Sequence, residues 1–265
     1  MAINKEGNGY TFGFAAVMVI LVGASLAMVS MGLKPDIKKN EADKKMMDIL
    51  GSIDVESTRE NAAEIFNTMV TERILVNAQG EVIRSATGPV DPADAEDPFN
   101  VDVRKEYKQM VSKIVQANKN DKPVLIEKVS ELPVNYPLFK AEKDGETYYV
   151  VPMVGTGLWG PIWGYVSMES DMKTVYGATF DHKTETPGLG AEIKEDFFEE
   201  QFEGESTYED GDFVSISVVK GTSSPDDKNA VDGITGGTIT SNGVAEMVYR
   251  TLAIYDNYFK KQRAS

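Results

Sequence analysis

From Phe12 to Leu33 the chain reads FGFAAVMVILVGASLAMVSMGL, 22 positions without a charged side chain. At about 1.5 Å per residue, a helix of that length spans the roughly 30 Å hydrocarbon core of a bilayer. Tyr10 stands where an interfacial aromatic belongs, and Lys34-Pro35 ends the apolar run. Ser25-Leu26-Ala27 is a passable small-x-small cleavage site. Met28, Val29 and Met31 nevertheless carry the run past the length of a signal-peptide core, so the pattern reads as a membrane anchor over 12–33. The polar stretch 36–50 ends in Met46, Met47, Ile49 and Leu50 and predicts a juxtamembrane helix continuing the span.

Beyond the anchor the periodicity alternates between helix and strand. Ala62, Ile65, Phe66 and Met69 recur at three- and four-residue spacing and predict a helix within 57–71. ERILV and EVIRS flank Asn77-Ala78-Gln79-Gly80, a hairpin signal, and the Pro- and Asp-rich stretch 88–98 predicts a loop. Residues 101–117 read as a helix and Val124-Leu125-Ile126 as a strand. From Leu138 the chain becomes strand-rich: LFKAEK and ETYYVVPMVG meet at Asp144-Gly145, a strong two-residue turn, and WGYVSME and KTVYGATFD follow. Residues 189–202 predict a helix, 213–221 a strand, and Ser241–Lys260 a last helix capped by Ser241 or Asn242. Val244, Met247, Val248, Leu252, Tyr255 and Phe259 share one face of that helix. The fold class is α+β, a single transmembrane helix followed by a domain with a largely antiparallel sheet and flanking helices. The segments are 1–11 before the anchor, 12–33 the anchor, 34–130 the juxtamembrane helix and first part of the soluble region, and 131–265 the rest.

Composition then removes much chemistry. There is no Cys, which excludes disulfides, thiolate metal sites and a Cys nucleophile, and the one histidine, His182, excludes a multi-His metal centre. With 42 Asp+Glu against 27 Lys+Arg the net charge is −15, which argues against a nucleic-acid partner. Nine of the acids fall between Glu195 and Asp212 with no base among them, and they read as a solvated face. Lys34, Lys38 and Lys39 follow the anchor and only Lys5 precedes it; a plain positive-inside count puts the large domain in the cytoplasm.

Three glycine-rich stretches remain as candidate chemistry: Val154–Gly160 (VGTGLWG), His182–Gly190 (HKTETPGLG) and Asp232–Val244 (DGITGGTITSNGV). The third runs from a loop into the last helix, so backbone N–H groups beside flexible glycines could receive an anion. Gly236 and Gly237 carry no side chain, leaving Thr238 open to a phosphate and to a modifying enzyme. The first two lack the G-x-G-x-x-G spacing of a dinucleotide site. They suit a slot in which Leu158, Trp159 and Leu189 cover a flat ring while glycine N–H groups meet its polar edge. Tight turns at strand ends, with no ligand, would show the same local pattern.

In order and over nearly the whole chain, the anchor, NEADKKMMDIL, GTGLWG, ETPGLG and DGITGGTITSNGV resemble NqrC, the membrane-anchored flavin subunit of the sodium-translocating NADH:quinone reductases (Nqr). The resemblance implies an extracytoplasmic FMN-binding domain at 131–265, on the periplasmic side of the inner membrane, against the lysine count. It implies FMN linked through its phosphate to Thr238 by a flavin transferase that recognises Asp232, with Thr235-Gly236 completing the motif. Gly237 departs from the alanine usual in the family; Thr235 and Thr240 rank below Thr238 as acceptors. The other residues expected around the cofactor are Thr156, Leu158, Trp159, Glu185, Thr186, Gly188, Leu189, Gly190, Gly236 and Gly237, with no catalytic acid or base and no metal. Implied partners are the other proteins of the Nqr complex, NqrA, NqrB, NqrD, NqrE and NqrF, with electrons passing from a membrane iron–sulfur centre to the FMN of NqrB. The related flavin protein of the Rnf ferredoxin:NAD oxidoreductase is an alternative, as is a membrane-tethered binding domain without covalent cofactor.

Overall fold

A computed structural model of the chain describes residues 7–224 and 227–264; Lys5 and the first part of segment 1–11 lie outside them. The chain divides into two compact units at Lys45/Met46. The first is the body of helix α1 (Asn8–Gly51), whose apolar stretch has a mean hydropathy of 2.4. It is one helix long and apolar enough to cross a membrane, as a single-pass anchor requires. The helix continues through Pro35, which removes one backbone donor without ending it.

In the second unit α2 (Ala62–Met69) leads directly into the hairpin β1 (Val70–Val76) and β2 (Val82–Ala86). The expected helix at 101–117 consists of α3 (Val103–Glu106), a π-helical turn (Tyr107–Val111) and α4 (Ser112–Asn118). The strand expected at Val124-Leu125-Ile126 is instead helix α5 (Lys122–Ser130). A three-residue apolar run has no period of its own. Here Asp121 caps the helix by accepting from Val124 N at 3.2 Å, Pro123 sits in the first turn, and Leu125 and Val129 bury one helical face.

Four strands follow as a meander: β3 (Tyr136–Lys143), β4 (Glu146–Thr156), β5 (Pro161–Met168) and β6 (Val175–His182). Asp144 and Gly145, at φ 54° and 86°, form the tight β3–β4 turn. The sheet is antiparallel in the order β2-β1-β3-β4-β5-β6, joining strands from both sides of residue 130. The helix expected at 189–202 is three short pieces, a 3-10 turn (Gly190–Lys194), α6 (Asp196–Glu199) and a second 3-10 turn (Glu200–Phe202). The strand expected at 213–221 is likewise broken, because Ser215 at φ 65° separates β8 (Asp212–Phe213), which pairs with β7 (Tyr208–Glu209), from β9 (Ser217–Val219). β9 pairs in parallel with β10 (Ala230–Asp232), and α7 (Thr238–Arg263) closes the chain.

Helix α7 lies on one face of the sheet, where Val244, Met247, Val248, Leu252, Tyr255 and Phe259 join Leu138, Val151, Met153 and Val166 in one core. The close approach of α7 to β4 needs glycine on both sides. A Cβ on Gly155 would stand 2.9 Å from Met247 Cβ, and one on Gly243 would overlap the Thr156 carbonyl. On the other face Phe66, Phe99 and Phe139 pack edge to face, and Thr179 Oγ1 donates to the Asp48 carbonyl at 3.0 Å. The last turns of α7 cover the β1–β2 turn. Asn257 Nδ2 donates to Ala78 O and Lys261 Nζ to Gln79 O, each at 2.8 Å, and any Cβ on Gly80 would run into the Asn257–Tyr258 backbone.

One buried ion pair ties the β1 strand to the 88–98 loop. Arg73, 1% exposed, donates from Nε and Nη2 to Asp97 at 2.9 and 2.7 Å and from Nη1 to Gly88 O at 2.6 Å. Asp97 also accepts from Phe99 N at 2.8 Å, so its carboxylate both neutralises Arg73 and caps the following turn.

Candidate functional site

The three glycine stretches converge at the start of α7. The β4–β5 turn carries 157–160 and is closed by Gly157 N donating to Gly160 O at 2.8 Å. The segment after β6 carries 184–190 and the loop after β10 carries 233–237. Between them lies a cleft of about 240 Å³ lined by Leu158, Glu185, Thr186, Leu189, Gly190, Gly236, Gly237, Thr238, Ile239 and Thr240.

Helix α7 begins three residues before the expected cap. Its N-cap is Gly237, with no side-chain cap hydrogen bond, and Thr238 is the first helical residue. The hydroxyl of Ser241 does not cap; it accepts from Ile234 N at 2.9 Å and ties the loop to the helix. The first backbone bond of the helix is Ser241 N to Gly237 O at 2.9 Å, so the amides of 238–240 precede the helical ladder. Partial positive charge thus collects at the cleft, beside the exposed Thr238.

Glu185 is 5% exposed and joins the three segments. Its Oε1 accepts from Trp159 N at 2.8 Å and its Oε2 from Thr240 Oγ1 at 2.6 Å. Two glycines press against it: a Cβ on Gly157 would lie 2.6 Å from Oε1, and one on Gly190 would lie 2.6 Å from Oε2 and overlap Thr240 Oγ1. The backbone N of Glu185 donates to His182 Nδ1 at 3.2 Å, so that ring nitrogen is the acceptor.

Four residues expected around the cofactor stand outside this lining. Trp159 is 65% exposed, its carbonyl accepting from Thr184 Oγ1 at 3.1 Å. The N–H of Gly188 donates to Glu192 Oε1 at 2.7 Å, at φ 76°. Thr156 Oγ1 pairs with Tyr107 OH at 3.1 Å on the far side of β4. Burial pushes the Tyr107 hydroxyl up, with the adjacent Arg250 opposing and Glu246 adding. Arg250 itself is buried, donating to Glu246 Oε1 and Val154 O, each at 2.6 Å, so this network braces the end of β4 behind the site. Asp232 lies on β10, accepting from Ser223 N at 2.6 Å and Ser223 Oγ at 2.9 Å. Ile239 and Thr240, in turn, belong to the lining. Their place was hidden because the helix start carries no side-chain cap to announce it.

An open groove with apolar side chains on its rim (Leu158, Leu189 and Ile239 are each about half exposed), a glycine floor and the first amides of a helix has the shape and polarity that would suit a flat ring bearing an anionic tail. Residues 157–253 match the FMN-binding domain family. The crystal structure of the Na(+)-translocating NADH-quinone reductase NqrC protein from Parabacteroides distasonis aligns with a TM-score of 0.68 and 36% identity, covering 86% of this chain and 96% of that one. The Shewanella oneidensis NqrC structure aligns at 0.64 and 25% identity, covering 87% and 100%. In sequence, the corresponding protein of the Vibrio parahaemolyticus Na(+)-translocating NADH-quinone reductase is 27% identical over 246 residues, 92% of this chain and 90% of its own. The chain belongs to the NqrC family of the Na(+)-translocating NADH-quinone reductases.

Proposed function

We propose that this chain is the electron-carrier subunit of a sodium-pumping NADH:quinone reductase, holding FMN through a phosphodiester on Thr238. The observation that carries this reading is the uncapped start of α7, which presents the exposed Thr238 hydroxyl and unpaired helix amides to a glycine-floored cleft. Thr240, the neighbouring candidate, is 1% exposed with its hydroxyl committed to Glu185, whereas Thr238 is open. Residues 131–265 are the flavin-carrying part, on the periplasmic side of the inner membrane. The partners are NqrA, NqrB, NqrD, NqrE and NqrF, and a flavin transferase acts during maturation with Asp232 in its recognition motif.

In the tethering step the Thr238 Oγ–P bond forms while the P–O–P bond of a flavin pyrophosphate donor breaks. The nucleoside monophosphate leaves and the hydroxyl proton is released. The residues present fit the product. Gly190, Gly236 and Gly237 line the cleft with bare backbone against which a phosphate would lie, and a Cβ on Gly236 would sit 2.6 Å from Leu189 Cδ2. The helix start offsets the remaining negative charge by roughly 0.3–1 kcal/mol. Leu158 and Leu189 would cover ring faces, and Glu185 fixes the walls. Bound FMN supplies the one- and two-electron chemistry; the chain supplies position, tether and electrostatics. The proposed route runs from a membrane iron–sulfur centre to the FMN of NqrB.

The test is intact mass with peptide mapping on protein from its native membrane. FMN less one water on the peptide containing Thr238 is expected; unmodified peptide from cells with an active transferase would overturn the reading. The Gly237 departure gives a second expectation. Its φ of −100° suits alanine, and a Cβ there would stand 3.0 Å from Ile234 side-chain atoms and 3.3 Å from Gly190 N. Gly237→Ala is therefore expected to keep the modification after a small shift of Ile234, with stability changed by less than about 1 kcal/mol. Mass analysis and urea unfolding of the variant check both parts.

A further inference from the structure

We propose that Glu185 is the positioning residue that restricts modification to one threonine of the α7 start, an inference that rests on the flavin-carrier reading above. Three threonines crowd this corner, Thr235, Thr238 and Thr240. At about 100° per residue, Thr238 and Thr240 project on nearly opposite sides of the helix. Both nevertheless line the cleft. What separates them is the carboxylate.

Glu185 Oε2 accepts the single Thr240 hydroxyl proton, with Oγ1 2.6 Å away, and Gly190 closes over Oε2 and Oγ1 so tightly that even a methyl group there would collide with them. A hydrogen bond to a carboxylate would activate an accessible hydroxyl. Here the same bond lies under the Gly190 backbone, beyond the reach of a phosphorus atom, and so acts as a lock. Through Oε1 the carboxylate also holds Trp159 N, which fixes the 157–160 turn and its Leu158 wall against the helix start. Among the described residues no Lys or Arg forms a salt bridge to Glu185, and its two oxygens are held by Trp159 N and the Thr240 hydroxyl instead. Removing the side chain should free the Thr240 hydroxyl, open space toward it and release the turn in one step.

The experiment expresses the full chain with an active flavin transferase as wild type, Glu185→Gln and Glu185→Ala, and maps flavin on the tryptic peptide 229–250, which contains all three threonines. Wild type is expected to carry flavin on Thr238 alone. The share on Thr240 should rise from Glu to Gln to Ala, reaching about a tenth or more in Glu185→Ala. Gln keeps an acceptor for Trp159 N but turns the Thr240 bond around. A general loss of packing would lower total flavin without moving it between threonines, so the redistribution reads positioning. Flavin on Thr238 alone in every variant that folds would overturn the inference. Amide exchange on unmodified protein gives a readout independent of flavin. The Trp159 amide should exchange at least about tenfold faster in Glu185→Ala and stay protected in Glu185→Gln. Unchanged protection in Glu185→Ala would overturn the clamp. Wild type without flavin would instead defeat the carrier reading, leaving amide exchange to decide the clamp alone.

Discussion

Thr238→Ala protein is expected to fold normally and to lose all covalent flavin. The residue is the first of α7 and exposed, and among the described residues its hydroxyl makes no hydrogen bond, so alanine removes a hydroxyl without breaking one. Alanine is the best helix former, and surface substitutions of this kind change stability by within about 0.5 kcal/mol. Denaturing gels under ultraviolet light should show fluorescence from wild type and none from the variant, while their thermal transitions coincide. A fluorescent Thr238→Ala band would place the ester elsewhere. Thr235, also exposed, would then be the first position to map.

The second large effect concerns stability rather than cofactor. Asp97→Ala is expected to cost about 3–5 kcal/mol, because it strands the Arg73 guanidinium at 1% exposure with, among the described residues, only the Gly88 carbonyl as hydrogen-bond partner. It also removes the acceptor for Phe99 N and so loosens the ring cluster of Phe66, Phe99 and Phe139. Replacing both partners, Arg73→Met with Asp97→Leu, should recover much of the loss, since no charge is then left buried. Urea unfolding of the second unit measures both. A loss below about 1 kcal/mol for Asp97→Ala would mean that the pair behaves as a solvated surface bridge.

The parts legible in the sequence were those with a period or a punctuation mark. Strands β3 to β6 followed from alternation and from Asp144-Gly145, and the buried face of α7 from its three- and four-residue spacing. Where neither existed the reading slipped. Val124-Leu125-Ile126 looked like a strand because three apolar residues fit either period; the deciding signal, Asp121 with Pro123, lay just before them. Sequence alone places the start of α7 late because Ser241 and Asn242 resemble caps, whereas Gly237 leaves the end without a side-chain cap. Around the cleft, the glycine stretches could be picked out one at a time. Their meeting point could not: the Glu185–Thr240 bond spans 55 positions and the Arg73–Asp97 pair 24, and tertiary packing alone creates both.

The seal of α7 over the Ala78–Gly80 turn bears on when the second unit can finish folding. Asn257 reaches back 179 residues to Ala78, the longest-range side-chain bond in this corner after that of Lys261. At roughly 5–20 residues per second, synthesis leaves that first turn waiting about 10–35 s for its cover. During that interval the meander from β3 to β6 can pair locally, but β1 and β2 lack the helix that packs against their turn. A chain stalled or clipped shortly before Asn257 would therefore keep its first hairpin unsealed while Thr238, the proposed acceptor, was already present. Maturation of the last helix is in this sense the event that completes the oldest part of the nascent chain.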